Sequence, residues 1–195
     1  MKSQKWGLAV ALMMAVWLLP FCVSGSGTGQ PPFDQKAIRD LMKVDQNLTS
    51  RFPDAKDREA MKESLAHQVS DDLDRMKSAF EGNNLSGLVD LLGSRRAVLT
   101  TPGFEHIPGA ESAGFWQRAR SGNVTLTLVP VHLYISGAMQ PWPVPNTDPK
   151  ESIENDAVAI LIFEFHIVKT NGATSQNDTG LGVALYCHKT GCPWG

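Results

Sequence analysis

The chain has 195 residues, of which 42% are hydrophobic and 19% are charged, a composition that can supply the core of one globular domain. Its 18 basic and 20 acidic residues give a net charge of −2, without the basic excess that favours nucleic-acid binding. We therefore expect one folded domain that does not bind nucleic acid.

The first 25 residues have the pattern of a secretory signal peptide. Lys2 and Lys5 precede an uncharged stretch over residues 6–21, and small residues follow where a signal peptidase would cut. A membrane anchor is the alternative, but this stretch is shorter than the ~20 residues that span a bilayer. The sequence therefore predicts a secreted, extracellular protein that does not contact the membrane once residues 1–25 are removed.

Residues 26–53 are predicted to form a flexible leader and one extra helix. Asp34 can cap this helix, and Pro53 would end it. A narrow apolar stripe would lie along one side of the helix: Ile38, Leu41, Met42 and Leu48. We expect the extra helix either to cover the main domain or to present a surface to a partner.

The main domain is predicted to span residues 54–195 and to begin with a long amphipathic helix that Gly82 ends. Apolar side chains recur at steps of three or four residues, which is the spacing of one helix face. They are Met61, Leu65, Val69, Leu73, Met76 and Phe80. Leucines over residues 85–92 indicate a shorter helix after it.

The centre of the chain combines a strand, two turns and another helix. In chain order these are a strand over residues 96–101, Pro102-Gly103, a loop closed by Pro108-Gly109, and a helix carrying Phe115 and Trp116. Three extended runs rich in Val, Ile, Leu, Phe and Thr follow, over residues 124–135, 156–169 and 181–188. The pattern predicts an α+β fold in which helices pack on an antiparallel meander.

Three short patterns within residues 56–194 are shared with one known group of domains. They are Gly82-Asn83, Thr101-Pro102-Gly103, and the stretch from Gly109 to Trp116. On these patterns the chain resembles the SnoaL-like and ketosteroid isomerase-like domains, which share the fold of nuclear transport factor 2. The resemblance implies a cone of helices packed on a curved antiparallel sheet. It also implies a strand beyond Trp194, so this domain is expected to lack its last strand or to close differently.

Glu164 and His166 are the best candidates for proton-transfer chemistry. Strand alternation places both on one face, about 7 Å apart, and a Glu beside a His in an apolar cavity can act as general acid and base. The alternative is that both simply face water at the end of the strand. His106 is a third candidate, because the resemblance implies that its loop lies at the cavity mouth.

The cavity wall is predicted from aromatic residues, and neither a metal nor a cofactor is expected. The candidate ligand-binding residues are Phe104, Trp116, Tyr134 and Tyr186. Along the strands, His132 and His188 are also expected to cluster with the two tyrosines. No metal-ligand spacing, nucleophile motif or phosphate loop appears in the sequence.

The sequence leaves three functions open. The first is a secreted glycoprotein that binds a small apolar or amphipathic molecule in the cone. The second is an isomerase or lyase that moves a proton in the same cavity. The third is a dimerising or oligomerising module that uses the outer face of the sheet, as the resemblance implies, with a homodimer as the simplest form. Fold alone does not choose between them.

Two covalent modifications are predicted for the secreted chain. Signal cleavage would leave Cys187 and Cys192, whose short separation and intervening Gly191 suit a disulfide across a hairpin neck, with two unpaired thiols as the alternative. Asn-x-Ser/Thr glycosylation sites occur at Asn47, Asn84, Asn123 and Asn177.

Overall fold

The computed structural model describes residues 33–103, 105–120, 123–137, 142–143, 152–153, 156–171, 174–189 and 194–195. The α-helices are α1 (Gln35–Asp40), α2 (Gln46–Arg51), α3 (Ala55–Glu81), α4 (Leu85–Ser94) and α5 (Ala113–Ala119). The β-strands are β1 (Met42–Val44), β2 (Val98–Thr100), β3 (His106–Pro108), β4 (Asn123–Gly137), β5 (Trp142–Pro143), β6 (Ser152–Ile153), β7 (Ala157–Asn171) and β8 (Thr174–His188). The predicted α+β class is confirmed.

Six strands form one curved, unclosed sheet in the order β1, β4, β7, β8, β2, β3. The three long strands β4, β7 and β8 are antiparallel neighbours, which confirms the predicted meander. The register shifts between Pro130 and His132, and such a bulge bends the strand that contains it. β5 and β6 form a separate two-stranded pair.

The core lies between the helices and one face of this sheet, which we call the inner face. Every second residue of β7 points into it and is at most 1% exposed: Ala157, Ala159, Leu161, Phe163, Phe165 and Ile167. The predicted apolar stripe of α3 is buried against them, from Met61 to Phe80. Asp54 caps α3 by accepting a hydrogen bond from the Lys56 N–H. The side of the sheet that faces away from the helices is called the open face.

The segment before α3 is not the single helix that the sequence predicts. Asp34 does cap α1, accepting the Lys36 N–H at 2.9 Å, but the helix ends at Asp40. The next residues form β1, which adds to the edge of the sheet parallel to β4, and Asp45 then caps α2. The prediction was wrong because the sheet edge offers backbone hydrogen bonds that the sequence pattern does not reveal. Ile38 and Leu48 are still buried, from two separate helices.

Strand β8 begins at Thr174, earlier than the predicted start at residue 181. The polar residues 174–180 pair with β7, because backbone pairing requires no apolar side chain. Gly180 and Gly182 lie opposite Phe165 and Phe163, and a Cβ at either glycine would overlap the facing ring. The glycines therefore make room for two core aromatic rings.

Residues 194 and 195 form hydrogen bonds with both helix α3 and strand β8. Trp194 is 2% exposed and donates its indole N–H to the Met61 carbonyl of α3 at 3.2 Å. Cys187 and Gly195 exchange two backbone hydrogen bonds of 2.9 Å. Cys192 lies outside the described residues, so the predicted disulfide stays a prediction.

Candidate functional site

Glu164 and His166 lie together, but on the open face. His166 Nε2 is 3.2 Å from Glu164 Oε2, and both side chains are close to half exposed. The prediction that both side chains lie on one face of β7 is therefore confirmed. This face is not the one that packs into the apolar core, so the pair does not lie in the apolar surroundings that were expected.

His106 is not close enough to act with this pair. Its Nδ1 is 3.2 Å from Thr100 Oγ1 on the neighbouring strand, and its side chain is exposed. Glu164 lies three strands away in the same row of the open face, on the order of 14 Å at ordinary strand spacing. Phe104, the first of the predicted wall residues, lies outside the described residues.

The two tyrosines of the predicted wall lie on opposite faces. Tyr134 is 41% exposed on the open face, where its ring centroid is 5.8 Å from that of His132. Tyr186 is fully buried on the inner face. His188 contacts Trp194 at 5.1 Å between ring centroids, and burial lowers the pKa of this histidine. The expected cluster of two histidines and two tyrosines is thus divided by the sheet.

Trp116 is part of the packed core. It is 0% exposed, and its ring centroid lies 5.5 Å from that of Phe80 and 5.8 Å from that of Phe165. Its indole N–H donates to the Ser112 hydroxyl at 2.9 Å, which satisfies the only polar atom of the side chain. This tryptophan therefore holds α5 against the sheet.

One half of the open face carries an apolar patch. By register, Ile160 of β7 lies between Tyr134 of β4 and Leu185 of β8, and Ile162 lies next to Val183. The patch residues that are 38% to 46% exposed are Val98, Val129, Tyr134, Ile160, Leu181 and Val183. We call these six residues the apolar patch. Glu164 lies between Val129 and Leu181, and the Lys43 ammonium lies over the Tyr134 ring, so charged groups border the patch. Exposed apolar side chains grouped in this way are typical of an interaction site.

The other half of the open face is polar. Thr127, His166 and Thr179 form one row across β4, β7 and β8. Further along, Asn177 lies opposite Val168 and is exposed. The backbone of Asn123 pairs with Thr170 at the same end of the sheet. Two of the four predicted glycosylation sites therefore belong to the polar end, away from the apolar patch.

The remaining glycosylation sites lie on the helices. Asn47 is exposed on α2. Asn84 is exposed and caps α4, where its Oδ1 accepts the Gly87 N–H at 3.1 Å. A glycan is attached through Nδ2, so the capping oxygen is not consumed by the modification. Glycosylation at all four positions stays a prediction.

A buried charged network lies inside the domain, and sequence reasoning missed it. Asp72 of α3 is 1% exposed, and its Oδ2 accepts the Arg95 Nε–H at 2.6 Å. The Arg95 guanidinium lies over the Tyr186 ring, 4.7 Å from its centroid. Burial, together with the Asp72 carboxylate, raises the pKa of Tyr186 well above its ordinary value, so its hydroxyl stays protonated. Gln68 donates to the other carboxylate oxygen at 3.1 Å.

A pocket of about 320 Å³ lies beside the edge of β8, between the turn after β2 and the C-terminal end of α5. Within it, Lys169 and Asp178 form an ion pair of 3.0 Å. Its lining residues are Thr101, Pro102, Glu105, Phe115, Arg118, Ala119, Lys169, Asn177, Asp178 and Thr179. We call this the edge pocket. It combines an aromatic ring with side chains of both charge signs.

Comparisons with protein-family models, with curated proteins and with solved structures find no match. Among the helices that the structure describes, none is long and apolar enough to cross a membrane. Within the same residues, no group of three or more His, Cys, Asp or Glu side chains is arranged to hold a metal ion.

Proposed function

We propose that this chain is a secreted glycoprotein whose apolar patch binds the apolar patch of a second copy. The observation that supports this proposal is the apolar patch, whose aliphatic and aromatic side chains are each 38% to 46% exposed. Two such faces can stack with interdigitating side chains at about 10 Å, as the layers of a β-sandwich do. Burying this surface would supply the main free energy of association.

A second copy is the occupant that the surface favours. A twofold-symmetric contact brings the same patch of both copies together, so each apolar side chain can pack against apolar side chains of the other copy. A fold of the nuclear transport factor 2 type, which remains part of this proposal, is also used for dimerisation through the outer face of its sheet. The predicted glycans at Asn123 and Asn177 would leave the apolar patch free for this contact.

Ligand binding in a cone cavity and isomerase or lyase chemistry stay predictions with less support. The proposed wall residues Trp116 and Tyr186 are fully packed, and the proton-transfer candidates Glu164 and His166 lie outside the core. Fold resemblance alone does not carry a reaction to this chain.

Charge substitutions on the open face test the dimer. Val183→Lys places an ammonium in the middle of the apolar patch of both copies, so we expect the mass from light scattering to fall from dimer to monomer. The matched control is Thr127→Lys, which adds the same charge to the exposed polar half of the same face. We expect this control to remain dimeric. Equal behaviour of the two variants would contradict the proposed interface.

Secretion and glycosylation are tested in the same expression system. In animal cells the chain is expected in the medium without residues 1–25 and to lose mass when N-glycans are removed enzymatically. Replacing Asn47 or Asn84 by Gln should each remove one step of this mass change. Retention inside the cell at unmodified mass would contradict the proposed compartment.

A further inference from the structure

The apolar patch is built from three adjacent rows of side chains that cross the open face. In order along the strands these rows contain Tyr134 and Ile160, then Val98 and Val183, then Val129 and Leu181. A twofold axis that lies along the middle row, between two stacked sheets, would place the first row of each copy over the third row of the other. Tyr134 would then face Val129 of the second copy, and Val183 would face its own counterpart.

A pocket of about 280 Å³ lies on the open face beside the first row. Its lining residues are Lys43, Val44, Asp45, Tyr134, Ile135, Ser136, Val158 and Ile160. We call this the β1 pocket. The Lys43 ammonium lies 5.6 Å from the Tyr134 ring centroid, and one row further out Asp45 accepts the Ser136 hydroxyl at 2.6 Å. The pocket therefore presents a cation in the first row and an anion in the row outside it.

The Glu164 and His166 pair carries charged and polar groups in the matching order. Glu164 belongs to the third row, and His166 belongs to the next row outward, 3.2 Å away between Oε2 and Nε2. An axis along the middle row would bring Glu164 over the row of Lys43 and His166 over the row of Ser136. The Lys43 ammonium already lies over β4, one strand spacing of ~4.8 Å from β7, so the Glu164 carboxylate of the second copy is within its reach.

An axis parallel to the strands would not give this match. Each row would then face the same row of the second copy, so an axis near the centre of the patch would place Glu164 over Glu164 or over Leu181. Two facing carboxylates would repel, and a carboxylate over leucine would lose water without gaining an ion pair with the second copy. Charge complementarity of this kind decides the orientation of an interface more than its affinity.

We infer that the Glu164 and His166 pair of each copy docks into the β1 pocket of the other, with Glu164 pairing with Lys43. The inference rests on the proposed dimer and names the orientation and the polar contacts of the same interface. Because the symmetry is twofold, the contact occurs twice in each dimer.

Charge reversal followed by mixing tests this docking. Lys43→Glu and Glu164→Lys each place like charges at both contacts of a homodimer, so each should weaken self-association about tenfold or more. Light scattering measures this as a loss of dimer mass. Mixing the two variants should restore the dimer, because each contact of the mixed dimer again joins opposite charges. Restoration would also show that both variants are folded.

Lys56→Glu is the matched control, because it makes the same change of charge at an exposed position on α3, away from the open face. We expect this control to remain dimeric. A dimer that Lys43→Glu leaves intact would overturn the docking, and so would two weakened variants that stay monomeric when mixed; both results leave the proposed dimer standing. A chain without substitutions that is monomeric at every concentration would instead refute the dimer itself.

Discussion

Arg95→Met is expected to lower the free energy of unfolding by about 3–5 kcal/mol, the usual cost of removing one partner from a buried ion pair. Asp72 is 1% exposed, so its carboxylate would lose the Arg95 Nε–H while remaining out of water. Methionine keeps much of the length and apolar volume of arginine, so the decrease in the free energy of unfolding would come mainly from the missing charge. Urea unfolding of the secreted protein measures this difference.

Arg75→Met is the matched control for this network. Arg75 Nη1 also lies near the Asp72 carboxylate, at 3.7 Å, but the arginine side chain is 65% exposed. An exposed ion pair contributes at most about 1 kcal/mol, so this variant should unfold almost like the unmodified protein. Replacing Asp72 and Arg95 together by apolar residues should recover part of the loss, because no charge is left buried. Equal destabilisation by Arg95→Met and Arg75→Met would contradict the network.

Gly182→Ala is expected to lower the free energy of unfolding by about 1–3 kcal/mol, the typical cost of forcing extra atoms into a packed core. The added Cβ would overlap the ring of Phe163, which is 0% exposed and has no space to retreat into. Thermal unfolding of the variant measures the loss. Combining Gly182→Ala with Phe163→Leu should restore part of the stability, because the smaller side chain vacates the overlapped volume.

Gly103→Ala is the control for the loss of a glycine. A Cβ at Gly103 would meet no atom within 4 Å, so the substitution adds no overlap. Its melting temperature should stay close to that of the unmodified protein. If Gly182→Ala were equally harmless, the proposed fit between Gly182 and Phe163 would be wrong.

The parts of the fold that depend on local periodicity were predictable from the sequence. The apolar stripe of α3 and its Asp54 cap occur within one helix, and the three long strands show their β-forming composition directly. β1 was not predictable, because its place in the sheet depends on pairing with residues of β4 far away in sequence. The early start of β8 was missed for the same reason, since polar residues there are held by their β7 partners.

The candidate site shows a different limit of sequence reasoning. Alternation correctly placed Glu164 and His166 on one face of β7, but it did not reveal which face the helices cover. Both faces of the first half of β7 are apolar, because one contacts the core and the other carries the apolar patch with Ile160. The Asp72, Arg95 and Tyr186 network was missed because its members come from three distant elements. A buried aspartate within a helix gives no periodic signal.

The most direct test of the proposed function is the mass in solution of the secreted protein without substitutions. Sedimentation equilibrium should be measured over a concentration series on glycosylated protein, with the monomer mass taken from the same sample after denaturation. The proposal predicts twice the monomer mass at high concentration and a shift toward the monomer on dilution. A monomer mass at every concentration would contradict self-association through the open face.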